Sequence, residues 1–135
     1  MCINAKMADR YISEQHSPPN YSKYKKYIHF KQGMNMKILV VDREEITAQL
    51  MSSKLETLGH KITHEPVKNN AVDRLSNEDF DIVFIDPAPL TSARPLILNL
   101  RRATKLYPYI IQMGESLTQV EAIQSGANDA ITKPI

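Results

Sequence analysis

Only one of the 135 residues is a cysteine, Cys2. That excludes an internal disulfide framework and a cysteine-based zinc site, and it makes a reducing, cytoplasmic compartment the expected one. Glycine is scarce, four in all, and no Gly-rich loop follows the first apolar run, which argues against a nucleotide enzyme. No apolar run approaches the roughly 18 residues of a membrane span. The N-terminus also lacks the apolar stretch of a secretion signal. Neither sign of charge dominates, since the net is +2. At 42% hydrophobic and 24% charged residues, the chain is too apolar for wholesale disorder and too charged for a membrane protein. Its length suits one domain with some slack, as domains run roughly 100–150 residues.

What charge there is lies unevenly. Residues 1–35 carry six basic side chains against Asp9 and Glu14, while residues 36–135 carry 11 basic and 13 acidic ones. A basic arm thus precedes a mildly acidic body. The arm shows no sustained apolar period, and Pro18-Pro19 interrupts any helix there. It reads as disordered. Tyr21, Tyr24, Tyr27 and Phe30 alternate with Lys23, Lys25, Lys26 and Lys31. Such interleaving can stack on bases or rest on a membrane surface, but a solvated tail is the plainer reading, and nucleic acid is not an expected partner. Met36-Lys37 opens the body so cleanly that Met36 is a candidate natural start.

From Met36 the pattern alternates. Lys37 to Val41 is a short apolar, β-branched run. Arg43 to Leu58 places Ile46, Leu50, Met51, Leu55 and Leu58 at helical spacing, with Gly59 as a stop. Lys61 to Glu65 is a weaker strand, and Asn69 to Leu75 a short helix. Phe80 to Ile85 is a strong strand. Pro95 suits the first turn of a helix running to Lys105. Tyr109 to Met113 is a fourth strand. Leu117 to Ser125 is a helix with Ser116 as cap and Gly126 as stop. Asp129 to Thr132 is the last strand. Five strands alternating with four helices predict βαβ units and a parallel sheet. The first, third and fourth strands are continuous apolar runs, as strands covered on both faces are. The second and fifth are weaker and belong at the edges. The predicted fold is therefore α/β, a flavodoxin-like doubly wound five-stranded parallel sheet in the order 2-1-3-4-5.

In such a sheet, ligands bind beyond the carboxyl ends of the strands where the winding reverses. Asp42 ends the first strand and Asp86 the third, so they should be neighbours. Lys133 ends the fifth and can reach back toward Asp86. Two carboxylates and one ammonium should converge on one crevice. His60 and His64 lie across a turn and a strand and lack a third ligand, so they do not read as a metal pair.

Residues 36–135 resemble the receiver domain of two-component response regulators. Ile38-Leu-Val-Val-Asp42, Phe80-Asp-Ile-Val-Phe-Ile-Asp86, Gly126-Ala-Asn-Asp129 and Thr132-Lys-Pro134 carry the resemblance, in order and at family spacing. It implies the fold just described. It implies a phosphoryl group accepted on Asp86 from a histidine kinase or phosphotransfer protein. It implies Lys133 pairing with the phosphoryl oxygens, and a cis Lys133-Pro134 bond.

The departures are as specific as the match. The family's second acid, its main magnesium ligand, is here Arg43, which offers no oxygen. Asp42, Asp86 and the Ala88 carbonyl remain as candidate ligands, and Glu44 is near enough to swing in; magnesium as cofactor is in doubt. Met113 stands where the family has a phosphoryl-binding hydroxyl, and Ala130 where it has a switching aromatic. The domain reads as a degenerate receiver. Arg43 itself either points to solvent or pairs with Asp86 or Asp42 in place of the metal.

Two functions stay open. One is a phosphoacceptor in a His-Asp phosphorelay, not an enzyme, that signals by docking a downstream protein. The other is a phosphorylation-independent pseudo-receiver, a protein-binding module. The sequence ends at Ile135, where the family continues into a fifth helix. With that helix absent, one sheet face is expected to leave an apolar patch, covered by a partner, by a second copy in a homodimer, by residues of a longer protein, or by the arm.

Overall fold

The computed structural model describes residues 35–135. In chain order the elements are β1 (Lys37–Val41), α1 (Glu45–Glu56), β2 (Lys61–Glu65), α2 (Lys68–Asn77), β3 (Ile82–Ile85), α3 (Arg94–Ala103), β4 (Tyr109–Gly114), α4 (Gln119–Gln124) and β5 (Asp129–Thr132). The strands form one sheet in the order β2-β1-β3-β4-β5, every pair parallel. The predicted order is the observed one. β1 and β3 are buried almost throughout, whereas β2 is half-exposed at the edge. This follows from composition: only the aliphatic runs can be covered on both faces.

Alternation along the strands divides the core in two. On one face Ile38, Val40, Phe84, Ile111 and Met113 pack with Ala48, Met51 and Leu55 of α1. On the other, Leu39, Val41, Val83, Ile85 and Ile110 pack with Ala71 and Leu75 of α2, Leu96, Ile97 and Leu100 of α3, and Ala122 of α4. Helices on both faces are what right-handed crossovers produce.

Three details correct the sequence reading. First, the buried stripe of α1 is Ala48, Met51 and Leu55, while Ile46 is 73% exposed and Leu50 and Leu58 44% each. The short Ala48 side chain sets the close approach, and a rule that counts large residues assigns the stripe to the wrong flank. Second, the cap of α4 is Thr118. Its hydroxyl accepts from the Glu121 N–H and the Glu121 carboxylate accepts from the Thr118 N–H, a complete capping box. Ser116 sits instead in the preceding turn at φ 55°. Thr118→Ala should therefore lower unfolding free energy by about 1 kcal/mol, read as a shift in urea midpoint at unchanged slope. Third, the sheet face under α1 was expected to carry an apolar patch; its side chains Ile111, Met113, Ile131 and Ile135 are buried and belong to one cluster with α1's core residues, with Ile62 and Tyr107 packed against it. The cover expected from Tyr21, Tyr24, Tyr27 and Phe30 falls outside the described residues.

Both glycine stops hold. Gly59 and Gly126 have φ of 91° and 102°, the left-handed conformation that ends a helix most easily without a Cβ. The Lys133-Pro134 bond is cis as expected, and so is Ala88-Pro89. Among the described residues, no helix is long and apolar enough to cross a membrane.

Candidate functional site

The site is built where β1, β3 and β5 end. Asp42 follows β1 directly, and its Oδ1 accepts from the Glu44 N–H at 2.8 Å. That local turn aims the chain into α1 and pins the carboxylate. Asp86 follows β3 in the same way: its own N–H donates to the Val41 carbonyl at 2.9 Å, and its Oδ1 accepts from the Ala88 N–H at 2.9 Å. Each acid keeps one oxygen free of the backbone, and both of those oxygens meet Lys133. Lys133 Nζ lies 2.9 Å from Asp42 Oδ2 and 2.7 Å from Asp86 Oδ2, and it also donates to Glu44 Oε1. Asp42 is 1% exposed, and Asp86 and Lys133 are also buried.

The electrostatics are decided by this convergence. Burial pulls the Lys133 pKa down, but its hydrogen bonds to Asp86, Glu44 and Asp42 outweigh that and hold it above the usual lysine range. An ammonium facing three carboxylates stays charged. Above it opens a cleft of about 390 Å³, bordered by Arg43 and Glu44, by Asp86 and the Pro87–Leu90 loop, and by Gln112.

The structure brings together Asp42, Asp86 and Lys133, as the strand ends implied, and Glu44, which was expected to swing in, joins them through Lys133. Arg43 lines the cleft and is exposed. Among the described residues it makes no ion pair with Asp42 or Asp86. The pairing alternative for Arg43 is thus not realised, because Lys133 already holds both acids. His60 Nδ1 accepts from the Met36 N–H, and His64 Nε2 bonds the Asp42 carbonyl at 2.7 Å. Both histidines serve the backbone.

Gln112 was not a sequence candidate. It is 6% exposed, its Oε1 has no hydrogen-bond partner, and it lines the cleft. The signal was present: one carboxamide near the end of an otherwise apolar strand.

Asp42, Glu44 and Asp86 offer oxygens within 4.8 Å of one another, an acidic cluster of the hard-oxygen kind that magnesium takes. Each of the four oxygens of Asp42 and Asp86 accepts a hydrogen bond, two of them from the same ammonium, and keeps a second lone pair. A divalent ion among them would stand against Lys133, with a guanidinium at the rim. The residues present do not fit a resident magnesium while Arg43, which supplies a cation and no oxygen, follows Asp42. Ala88 lines the cleft and binds Asp86 through its N–H.

No family model matches the chain. Over 102 residues it is 32% identical to the two-component response regulator PhoP of Pseudomonas aeruginosa, covering 73% of this chain and 45% of that one. The receiver domain of a Francisella response regulator superposes with a TM-score of 0.65 at 26% identity, covering 75% of this chain and 86% of that one. The body of this chain is a receiver domain. The chain spans less than half the length of the curated relatives it matches. A further neighbour, at TM-score 0.63 and 20% identity, is the receiver domain of the yeast response regulator Ssk1 in co-crystal with the phosphotransfer protein Ypd1, covering 75% of this chain and 80% of that one.

Two departures in this receiver domain are now placed. Met113 is fully buried in the cluster under α1. Ala130 packs against the other cluster and pairs in register with Gln112. Positions 113 and 130 therefore belong to opposite faces of the sheet.

Proposed function

We propose that this receiver domain accepts a phosphoryl group on Asp86 and signals by docking a downstream protein, as a relay module and not an enzyme. The domain is taken to begin at Met36, after a basic arm over residues 1–35, and to work in the cytoplasm. The observation that carries the reading is the Asp86 carboxylate, 2.7 Å from Lys133 Nζ at the edge of an open cleft. Phosphoryl transfer needs chiefly a positioned nucleophile and positive charge near the phosphoryl oxygens. The donor is a histidine kinase or a phosphotransfer protein of the kind that the Ssk1 receiver binds. Exposed Ile46 and Leu50 on α1 and exposed Leu90 in the loop after β3 supply apolar contacts for such a partner near the acids.

A phosphorylation-independent module is the second reading. It is favoured by Met113 and Ala130, which leave neither a hydroxyl nor a ring to register the modification. Intact-mass measurement after acetyl phosphate treatment separates the two. One addition on the native chain, absent from Asp86→Asn, supports the phosphoacceptor. An addition that survives Asp86→Asn moves the site elsewhere. No addition under any buffer condition leaves the binding module.

A further inference from the structure

A phosphoryl group on Asp86 replaces one carboxylate charge by a group of about −1.5 to −2, in a cleft that already holds Glu44 and Glu115 beside buried Asp42. Positive charge must answer it. Among the described residues that line the cleft, the cations are Lys133 and Arg43. Lys133 is committed to three carboxylates. Arg43 has no ion pair among the described residues and stands exposed at the rim, one residue after Asp42. A guanidinium presents five N–H donors in a planar fork that matches phosphate oxygens two at a time. Gln112 independently points to an incoming donor. Its carboxamide is buried in the same cleft with an oxygen that nothing satisfies, an arrangement that costs free energy until a donor arrives.

We propose that Arg43 takes the place of the metal: it folds over the cleft to neutralise the phosphoryl group on Asp86, so this receiver domain is phosphorylated without a divalent cation. The inference rests on Asp86 as the phosphoacceptor. The step balances without one. An oxygen of the Asp86 carboxylate bonds to phosphorus, the bond from phosphorus to the donor's bridging oxygen breaks, and its electron pair leaves with the acetate of acetyl phosphate. Arg43 and Lys133 stabilise charge and exchange no proton. The fork has donors for both the phosphoryl oxygens and Gln112 Oε1.

The test follows acetyl phosphate labelling of the full chain by intact mass, in EDTA and in magnesium. The expected result is equal labelling in both, with Arg43→Ala slowing the EDTA reaction at least about tenfold, the loss of one charge-assisted contact. Arg43→Asp should make labelling depend on magnesium. In calorimetry it should also create saturable magnesium binding that the native chain lacks. Arg43 is exposed, so thermal melts of both variants should match the native one. Native labelling that needs magnesium overturns the role of Arg43 and leaves Asp86 as phosphoacceptor. So does an EDTA rate unchanged in Arg43→Ala. No labelling in either buffer overturns both readings.

Discussion

Lys133→Met should destabilise the domain by about 3–5 kcal/mol at pH 7, the loss typical when one partner of a buried ion pair is removed. Methionine preserves length and apolar stem but takes away the single cation that Asp42, Asp86 and Glu44 share. Asp42 and Asp86 carry the effect, because they are buried; Glu44 is 59% exposed in its side chain and can turn to water. Two buried carboxylates left facing one another repel. The native domain carries a pH dependence on its alkaline side. Its Lys133 pKa is raised by folding, so the contribution is complete below the unfolded-state value of about 10.4. It is then lost as pH rises above that value toward the folded one. Urea titrations of both chains between about pH 7 and 11 measure the deficit and this loss. A variant as stable as the native chain at pH 7 would show that the three contacts contribute nothing net.

This ammonium and its acids were legible because each ends an apolar run. Strand ends in a parallel sheet point to one side, and a two-residue alternation fixes which side chains face the core. Strand order was legible for a related reason: Lys61–Glu65 and Asp129–Thr132 are too polar to be covered on both faces. What escaped is what depends on distance. Ala48 is too small to register in an apolar count, yet it opens α1's buried stripe, and Ile46 and Leu50 were credited in its place. Ser116 and Thr118 are both good caps by type. Each also has a capping-box partner three residues on, Gln119 after Ser116 and Glu121 after Thr118, so spacing did not separate them; the turn that puts Ser116 at φ 55° did. Glu44 was a candidate for the pocket, but its partner was not legible: the turn set by Asp42 sends it to Lys133. Gln112 was absorbed into an apolar strand, and whether a carboxamide is satisfied there depends on loops that periodicity does not describe. The cis bond at Ala88-Pro89 leaves no trace in spacing.

Met113→Thr, the substitution that would restore the family's hydroxyl, should cost about 2–4 kcal/mol. Met113 is fully buried beside Ile111, Ile131 and α1's Met51. Threonine there removes apolar volume from a packed face and leaves a cavity. It also places a hydroxyl against the apolar cluster that Met113 joins, which costs free energy unless the cleft beside it answers the hydroxyl. The register explains why the exchange does not rebuild a relay. Met113 is paired with Ile131, in the cluster under α1, while Ala130 pairs with Gln112 against the other face. A ring at 130 would meet Gln112 before it met position 113. The double variant Met113→Thr with Ala130→Tyr should accordingly be no more stable than Met113→Thr alone, since the two changes share no contact. Chemical denaturation of the native chain and the two variants checks this. A threonine variant within about 0.5 kcal/mol of native, the range of ordinary surface changes, would mean that the cleft Met113 borders supplies the hydroxyl with a partner. The hydroxyl position would then be open for the chemistry that the methionine excludes.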